Sequence, residues 1–413
     1  MTFSTAATAL IGLAIATGFA SCSTASSPPP TSTSVTAQTT PNPASLLVPE
    51  SIPELSAVEV TPLVEGLEHP WSLAWLPNGD LLITERPGRL RLVRQGKLEP
   101  TAIAGLPADL FAQGQGGLLD IAVDPQFEQN RWVYFSYAAG TEAVNRVQVA
   151  RGKLNGLRLE NVEVIFTVRP DKSSAQHFGS RLAWLPDRTL LIAIGDGGNP
   201  PVELNGRLIR HQAQMPESGL GKIHRINRDG SIPADNPFRN QPKAQASLWS
   251  LGHRNIQGLA VDPQTGTVWS TEHGSRGGDE LNQIKAGENY GWPEVTFSQE
   301  YWGAEITPLR TQSGMIDPHL VWTPAIAPSG ITVYRGTKVP DWQGKIFAGG
   351  LVGRDIRVIQ LSPEGQATNV SRIPIGARVR DVRQGPSGDL YVLTDESSGK
   401  LIRVRSTTAS TQS

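Results

Sequence analysis

Apolar residues in this chain come in short runs broken by turns rich in Pro, Gly, Asn or Asp, the pattern of β-hairpins, and stretches with a clean helical period are scarce. In the phrase WSLAWLPNGDLLITE, which begins at Trp71, two apolar runs flank a PNGD turn. Comparable phrases are GLLDIAVDPQFEQNRWVYFSY from Gly117, SRLAWLPDRTLLIAIGDGG from Ser180 and QGLAVDPQTGTVWSTEHG from Gln257. SGITVYRGTKVPDWQGKIFAGG from Ser329, the least regular copy, carries its proline late, and RDVRQGPSGDLYVLTDE from Arg380 completes the set. The copies start about 45 to 80 residues apart, the length of a four-stranded blade with variable loops. A sheet that is apolar on both faces cannot stand alone in water, whereas six packed about an axis cover one another and leave only short edges. The expected fold is therefore all-β: a six-bladed β-propeller of four-stranded antiparallel blades. Residues 57–67, AVEVTPLVEGL, precede the first copy and can supply the outer strand of the last blade, closing the ring. A pair of β-sandwiches is the competing arrangement, disfavoured because sandwiches rarely repeat one hairpin phrase in this way.

The ends of the chain have a different composition. An apolar run over residues 6–20 is too short to span a bilayer and reads as the core of an export signal, although no Lys or Arg precedes it. It leads into Phe19-Ala20-Ser21-Cys22, which resembles a bacterial lipobox, with Cys22 the only cysteine. Ser, Thr, Pro and Ala then dominate, with too few large apolar residues to fold. The expected organisation is a signal peptide over 1–22, a disordered spacer over 23–50, the propeller over 51–406 and a disordered tail over 407–413. The protein is expected to be exported, periplasmic or at the cell surface, and tethered by lipid if Cys22 is modified. With 37 Lys and Arg against 38 Asp and Glu, no broad attraction to nucleic acid or an anionic membrane is indicated. Function must then come from a local site.

In a propeller, loop ends from several blades meet at the axis, so functional groups should lie at matching edges of the repeats. His177, in a polar turn before a strand, can accept a proton near neutral pH, and Asp196 lies at the end of the paired strand, where it can orient an imidazole. Read alone, His177 is more often a surface or structural histidine and Asp196 a cap of its Gly-rich turn. Arg254 and Asn255 suit an anionic or quinonoid ligand. Arg378 and Arg380, two apart on a strand, share a face and need an anionic partner: ligand carboxylates, or Asp381 and nearby Glu residues. The stretch 272–280, EHGSRGGDE, offers the hard oxygens that Ca²⁺ takes, though not with EF-hand spacing.

In this order, GQGGLLD, HFGSRL, GHRNIQGLA, RGGDELNQIKAGENYGWPEV, APSG and RVRDVRQGPSGDLYVLTDE resemble the soluble pyrroloquinoline quinone (PQQ)-dependent sugar dehydrogenases, above all the bacterial aldose sugar dehydrogenases, over about residues 60–404. The resemblance implies that His177 is the general base for the anomeric hydroxyl, oriented by Asp196, with Gln115 beside substrate and cofactor. It further implies that Arg254 stabilises charge on the reduced quinone and that Asn255, Arg378 and Arg380 contact the cofactor. Backbone oxygens at Gly274 and Ser275 would hold a cofactor-side Ca²⁺, and Glu280 with the Tyr290 carbonyl a structural one. The implied reaction is oxidation of aldoses to lactones, with electrons passed to an unknown non-NAD acceptor. Two positions depart from the pattern: Val352 stands where some members have a cofactor-contacting lysine, and Pro201 where some have a glutamine. The rival readings are a Ca²⁺-dependent lactonase, whose metal would need axial Asp, Asn and Glu side chains, and a non-catalytic propeller that binds a glycan or protein. Trp322 is expected either at the substrate rim or in the core.

Overall fold

The computed structural model describes residues 46–48 and 51–408, so the signal, the lipobox with Cys22, nearly all of the spacer and most of the tail lie outside the described residues. The described part contains six four-stranded antiparallel sheets, five of them meanders, arranged as the blades of a propeller. Every repeated phrase forms the two inner strands of one blade. In the first these are Pro70–Trp75 and Leu81–Glu85, and in the third Gly179–Trp184 and Leu190–Ile194. Closure follows the expected route, because Val58–Leu67 pairs antiparallel with Gly399–Ser406, Val60 opposite Val404, as the outer strand of the last blade.

Period-two alternation explains the packing. In the first blade Leu82, Leu90 and Leu92 face the second, where they meet Leu118, Ile121 and Val133. Leu81, Ile83 and Val93 on the opposite face meet Leu393 and Leu401 of the last blade. The same division recurs around the ring, so each gap between blades holds its own apolar cluster. The chain joins this core earlier than its composition suggests: Leu46 and Val48, inside the range assigned to the spacer, are buried, and the Val48 N–H donates to the Val321 carbonyl at 2.9 Å. An apolar triplet, Leu46-Leu47-Val48, has surface to bury where the Ser/Thr/Pro sequence before it does not.

The axis is closed by charge. Arg181, fully buried, lies 3.1 Å from Asp381 and 3.7 Å from Asp120, with its guanidinium carbon 4.0 Å from the centre of the Trp71 ring. It also donates to the carbonyls of Gln257 and Arg380 at 2.6 and 3.0 Å. Arg383, 3.0 Å from Asp381, balances the second carboxylate, so two cations and two anions form a neutral axial plug.

Candidate active site

Each of the six inner strands breaks register near its start, for example between Gly179 and Leu182 and between Val379 and Asp381. Bulges of this kind re-aim side chains, and here they turn loop residues of all six blades toward one end of the axis. A cavity of about 260 Å³ lies there, walled by Trp71, Arg86, Gln115, Asn255, Arg378 and Arg380 among others.

Beside it lies an imidazole–carboxylate pair. His177 Nδ1 is 2.7 Å from Asp196 Oδ1, and both residues are buried. Asp196 Oδ2 accepts from Trp292 Nε1 at 2.8 Å, and the His177 N–H donates to Gln115 Oε1 at 2.8 Å. His177 has a φ of 47°, and its carbonyl lies so close to the next strand that a Cβ at Gly195 would stand 2.2 Å from it. Only glycine fits at 195. Burial holds the imidazole below its ordinary pKa, and Arg254 and Lys172 push the same way against the pull of Asp196. The neutral ring donates from Nδ1 to the carboxylate, which leaves Nε2 as the basic lone pair.

The Asp196 N–H donates to the Arg254 carbonyl at 2.8 Å, tying this pair to the fourth blade. The Arg254 guanidinium donates to the carbonyls of His273 and Gly274 at 2.9 and 2.6 Å and to Asn199 Oδ1 at 2.7 Å, all neutral oxygens. Its buried Nε has no partner among the described residues. A buried cation compensated only by dipoles favours negative charge nearby. Asn255 Oδ1 accepts from the Gly179 N–H and from Gln257 Nε2, both at 3.2 Å, so its own amide is what remains for a ligand.

Arg378 and Arg380 do share a face, and their partner is Asp395 rather than Asp381, which the axial plug consumes. Arg380 is buried against Asp395 and donates to Gln257 Oε1 at 3.0 Å, whereas Arg378 is nearly half exposed and 3.7 Å from the same carboxylate. Burial raises Asp395, but Arg380, His69 and Arg378 together outweigh it and hold the carboxyl well below its usual range. A third cation joins them: Arg86 is lowered by burial, with Arg380 and Arg378 repelling it and Asp395 opposing. The cavity wall thus carries three guanidiniums against one carboxylate.

The residues assigned to metal divide differently. Gly274, Glu280 and Tyr290 line a separate cavity of about 10 Å³ with Glu272, room for one ion or water, and Ser275 is not in its wall. Asn282 Nδ2 donates to Glu272 Oε1 at 3.0 Å and to Glu280 Oε2 at 3.1 Å, holding the two carboxylates side by side. Burial and the charge of Glu272 push Glu280 well above the usual carboxylate range. Among the described residues no group of three or more His, Cys, Asp or Glu converges on one point.

Nor do His177, Asp196 and Arg254 themselves form the wall of the larger cavity; they stand behind Gln115, Gly179 and Asn255. Trp322, with 1% of its surface exposed, belongs to the core, where its Nε1 donates to Asn369. Arg86, Lys172, Trp292 and Asp395 escaped the sequence reading. The TDE phrase at the end of the strand paired with the two arginines offered Asp395 and Glu396 as candidates for their partner; the other three act through contacts that no local spacing encodes.

The glucose/sorbosone dehydrogenase family model matches residues 67–403. An uncharacterised protein of Synechocystis is 59% identical over 87% of this chain and 89% of its own length. The crystal structure of the soluble aldose sugar dehydrogenase of Escherichia coli in its apo form is similar with a TM-score of 0.79 at 39% identity, covering 84% of this chain and 99% of that one. The PQQ-bound aldose sugar dehydrogenase of Streptomyces coelicolor is similar with a TM-score of 0.68 at 28% identity, over 86% of this chain and all of the other.

Proposed function

We propose a function from one premise: the chain belongs to the glucose/sorbosone dehydrogenase family. The protein oxidises aldoses at the anomeric carbon to lactones with PQQ and passes the electrons to an acceptor other than NAD. What carries this reading is a neutral His177–Asp196 pair beside a cavity with three guanidiniums and one carboxylate. PQQ is a planar quinone with three carboxyl groups, and a cavity walled by Arg86, Arg378 and Arg380 against the single carboxylate of Asp395, with the Arg254 charge behind it, fits such a group. Arg86, Arg378 and Arg380 would hold the carboxylates, and Arg254 and Asn255 the polar edge of the quinone.

When bound, PQQ supplies an acceptor for a hydride, that is, two electrons and one proton. His177 Nε2 takes the proton of the anomeric hydroxyl as the C–H bond breaks, leaving a carbonyl at that carbon. Asp196 keeps the ring in one orientation through Nδ1–H and stabilises the imidazolium that forms. Gln115, whose Oε1 is occupied by the His177 N–H, presents its amide N–H groups to the sugar.

Ca²⁺ enters the same reading at two places. A hard cation fits between Glu272 and Glu280 with Tyr290 beside them, its charge offset against the Arg254 guanidinium in the same wall. A cofactor-side ion on Gly274 and Ser275 would compete with Arg254 for the Gly274 carbonyl. Export and lipid attachment at Cys22, outside the described residues, complete the proposal; the protein should partition into detergent and the Cys22→Ser variant should not. The function itself is tested by adding PQQ and Ca²⁺ to the purified apoprotein and following glucose-dependent dye reduction. No reduction with PQQ demonstrably bound would refute it.

A further inference from the structure

The segment that delivers His177 contains a buried cation with no part in the proton transfer described above. Lys172 forms a two-way backbone bridge with Asn145, its N–H to the Asn145 carbonyl at 2.9 Å and the reverse bond at 2.8 Å. From that fixed point its side chain turns inward and is 4% exposed. The ammonium donates to the carbonyls of Ser174 and Gln176, the second at 2.8 Å, and sits 3.7 Å from the centre of the Phe178 ring. The stem packs on the turn after Asp196, where a Cβ at Gly197 would stand 3.2 Å from Lys172 Cδ. One side chain therefore touches both flanks of His177 and the residue that follows Asp196.

We propose that Lys172 is a positioning residue for the His177–Asp196 pair: its ammonium ties down the turn that holds His177 in a left-handed conformation and fixes a positive charge next to both groups. An apolar side chain of that length would fill the space but leave the Ser174 and Gln176 carbonyls without this donor and the neighbouring pair without its charge. The charged groups facing it are Asp196 and His177, with Arg254 beyond them from the fourth blade. Burial brings Lys172 down to about 7, with Asp196 opposing. While protonated it disfavours imidazolium at His177 and keeps Nε2 available. The charge on Lys172 therefore bears on the titration of His177.

The role rests on His177 being the base, and the test separates the two claims. In the full chain without cofactor, the Cε1 carbon resonance of His177, assigned by its loss in His177→Gln, is followed against pH. Lys172→Met should raise the His177 midpoint by about half a pH unit or more, at least threefold in proton affinity, and Lys172→Arg should largely restore it. In the PQQ-loaded enzyme the acidic limb of kcat/KM should move the same way with KM unchanged. An unmoved His177 midpoint in folded Lys172→Met overturns the proposal whatever the activity. A moved midpoint in a protein that oxidises no sugar leaves the positioning role standing and removes the dehydrogenase reading. If the Met variant does not fold, the Lys172 Nζ nitrogen shift in the unmodified protein decides: it must show an inflection shared with the His177 ring, and independent titrations overturn the coupling.

Discussion

Trp292 Nε1 and His177 Nδ1 hold opposite oxygens of the Asp196 carboxylate, at 2.8 and 2.7 Å, so the carboxylate cannot rotate without breaking one of them. The indole also packs beneath two guanidiniums, Arg254 at 5.3 Å and Arg210 at 5.7 Å from its ring centre. A loop more than ninety residues away thereby fixes the orientation of the base. His177→Gln should lower kcat by about two to four decades with fold and PQQ affinity unchanged. Trp292→Phe, which keeps the packing and loses the donor, should lower kcat by about one decade. Steady-state rates alongside PQQ titration of each variant check both, and near-normal turnover in His177→Gln removes it as the base.

The pH dependence follows from the direction of the shifts. Because burial holds the His177 pKa below its ordinary value near 6.5, its imidazole is protonated only at lower pH than a free one. The acidic limb of kcat/KM should therefore fall below pH 6.5. His224 and His273 are likewise depressed by burial, to about 4 and about 3. Between those values and 6.5 the unfolded chain binds protons that the folded one refuses, so these three groups favour the folded state fully above pH 6.5 and lose that contribution as pH falls. Their share of the thermal-unfolding profile should be a loss of stability from about pH 6.5 downward. Replacing His224 by Gln should flatten that fall, and an unchanged profile would show that His224 titrates alike in the folded and unfolded chain.

Much of this was readable in the sequence, and the reason lies in what each feature depends on. The blades were legible because every hairpin carries its own alternation and turn, and residues 57–67 because an unpaired strand before the first repeat has one open edge to fill. His177 and Asp196 were legible as ends of two strands joined by one turn. Lys172 and Arg86 were not, since a lysine near a turn and an arginine after a strand are usually solvated, and only the assembled ring shows what encloses them. The competing partners of Arg378 and Arg380 turned on geometry: Asp381 is adjacent in sequence but points into the axial plug, and Asp395 comes from the neighbouring strand's end.

The paired arginines should separate binding from stability. Arg378 is 45% exposed, so Arg378→Ala should leave the melting temperature nearly unchanged while weakening PQQ by about 1–3 kcal/mol. Arg380→Ala would strand the buried Asp395 and should cost about 3–5 kcal/mol of folding stability. Val352 lines the cavity with 61% of its surface exposed, so Val352→Lys can add a fourth cation at little cost. It should tighten PQQ several-fold. Calorimetric titration with thermal melts measures all three, and equal stability losses in the two alanine variants would contradict the assignment.

Calcium should act through the Glu272–Glu280 pair. A cation that binds only the folded state raises stability with its concentration, so millimolar Ca²⁺ should raise the melting temperature by several degrees and chelator should reverse it. Glu280→Gln removes the like-charge contact and the ligand together. It should melt no lower than the metal-free protein and respond little to Ca²⁺. A full response in Glu280→Gln would place the ion elsewhere.

The sugar itself should be weakly specified. Discrimination between epimers requires fixed polar groups that pair with particular hydroxyls and are left unpaired by the wrong sugar. The cavity wall supplies three arginines, which the cofactor carboxylates would engage, and beyond them the uncharged polar side chains of Gln115, Asn255, Gln257 and His273, the last with its Nε2 held by the Pro328 carbonyl at 2.8 Å. Asn255 Oδ1 accepts from Gln257 Nε2 and its amide is assigned to the cofactor edge, while Gln257 Oε1 accepts from Arg380. Gln115 keeps its amide N–H groups free, enough to orient an anomeric hydroxyl but not to read the rest of the ring. Trp322 lies in the core, and the Trp71 ring in the wall is 3% exposed and faces the Arg181 guanidinium. Glucose, galactose, xylose and maltose should therefore all be oxidised with weak apparent affinity, and their kcat/KM values should span less than about a thousandfold. Competition assays in dye-linked turnover measure the ratios. A preference above a thousandfold for one sugar would show that loop groups outside the cavity wall close on the substrate and make the missing contacts.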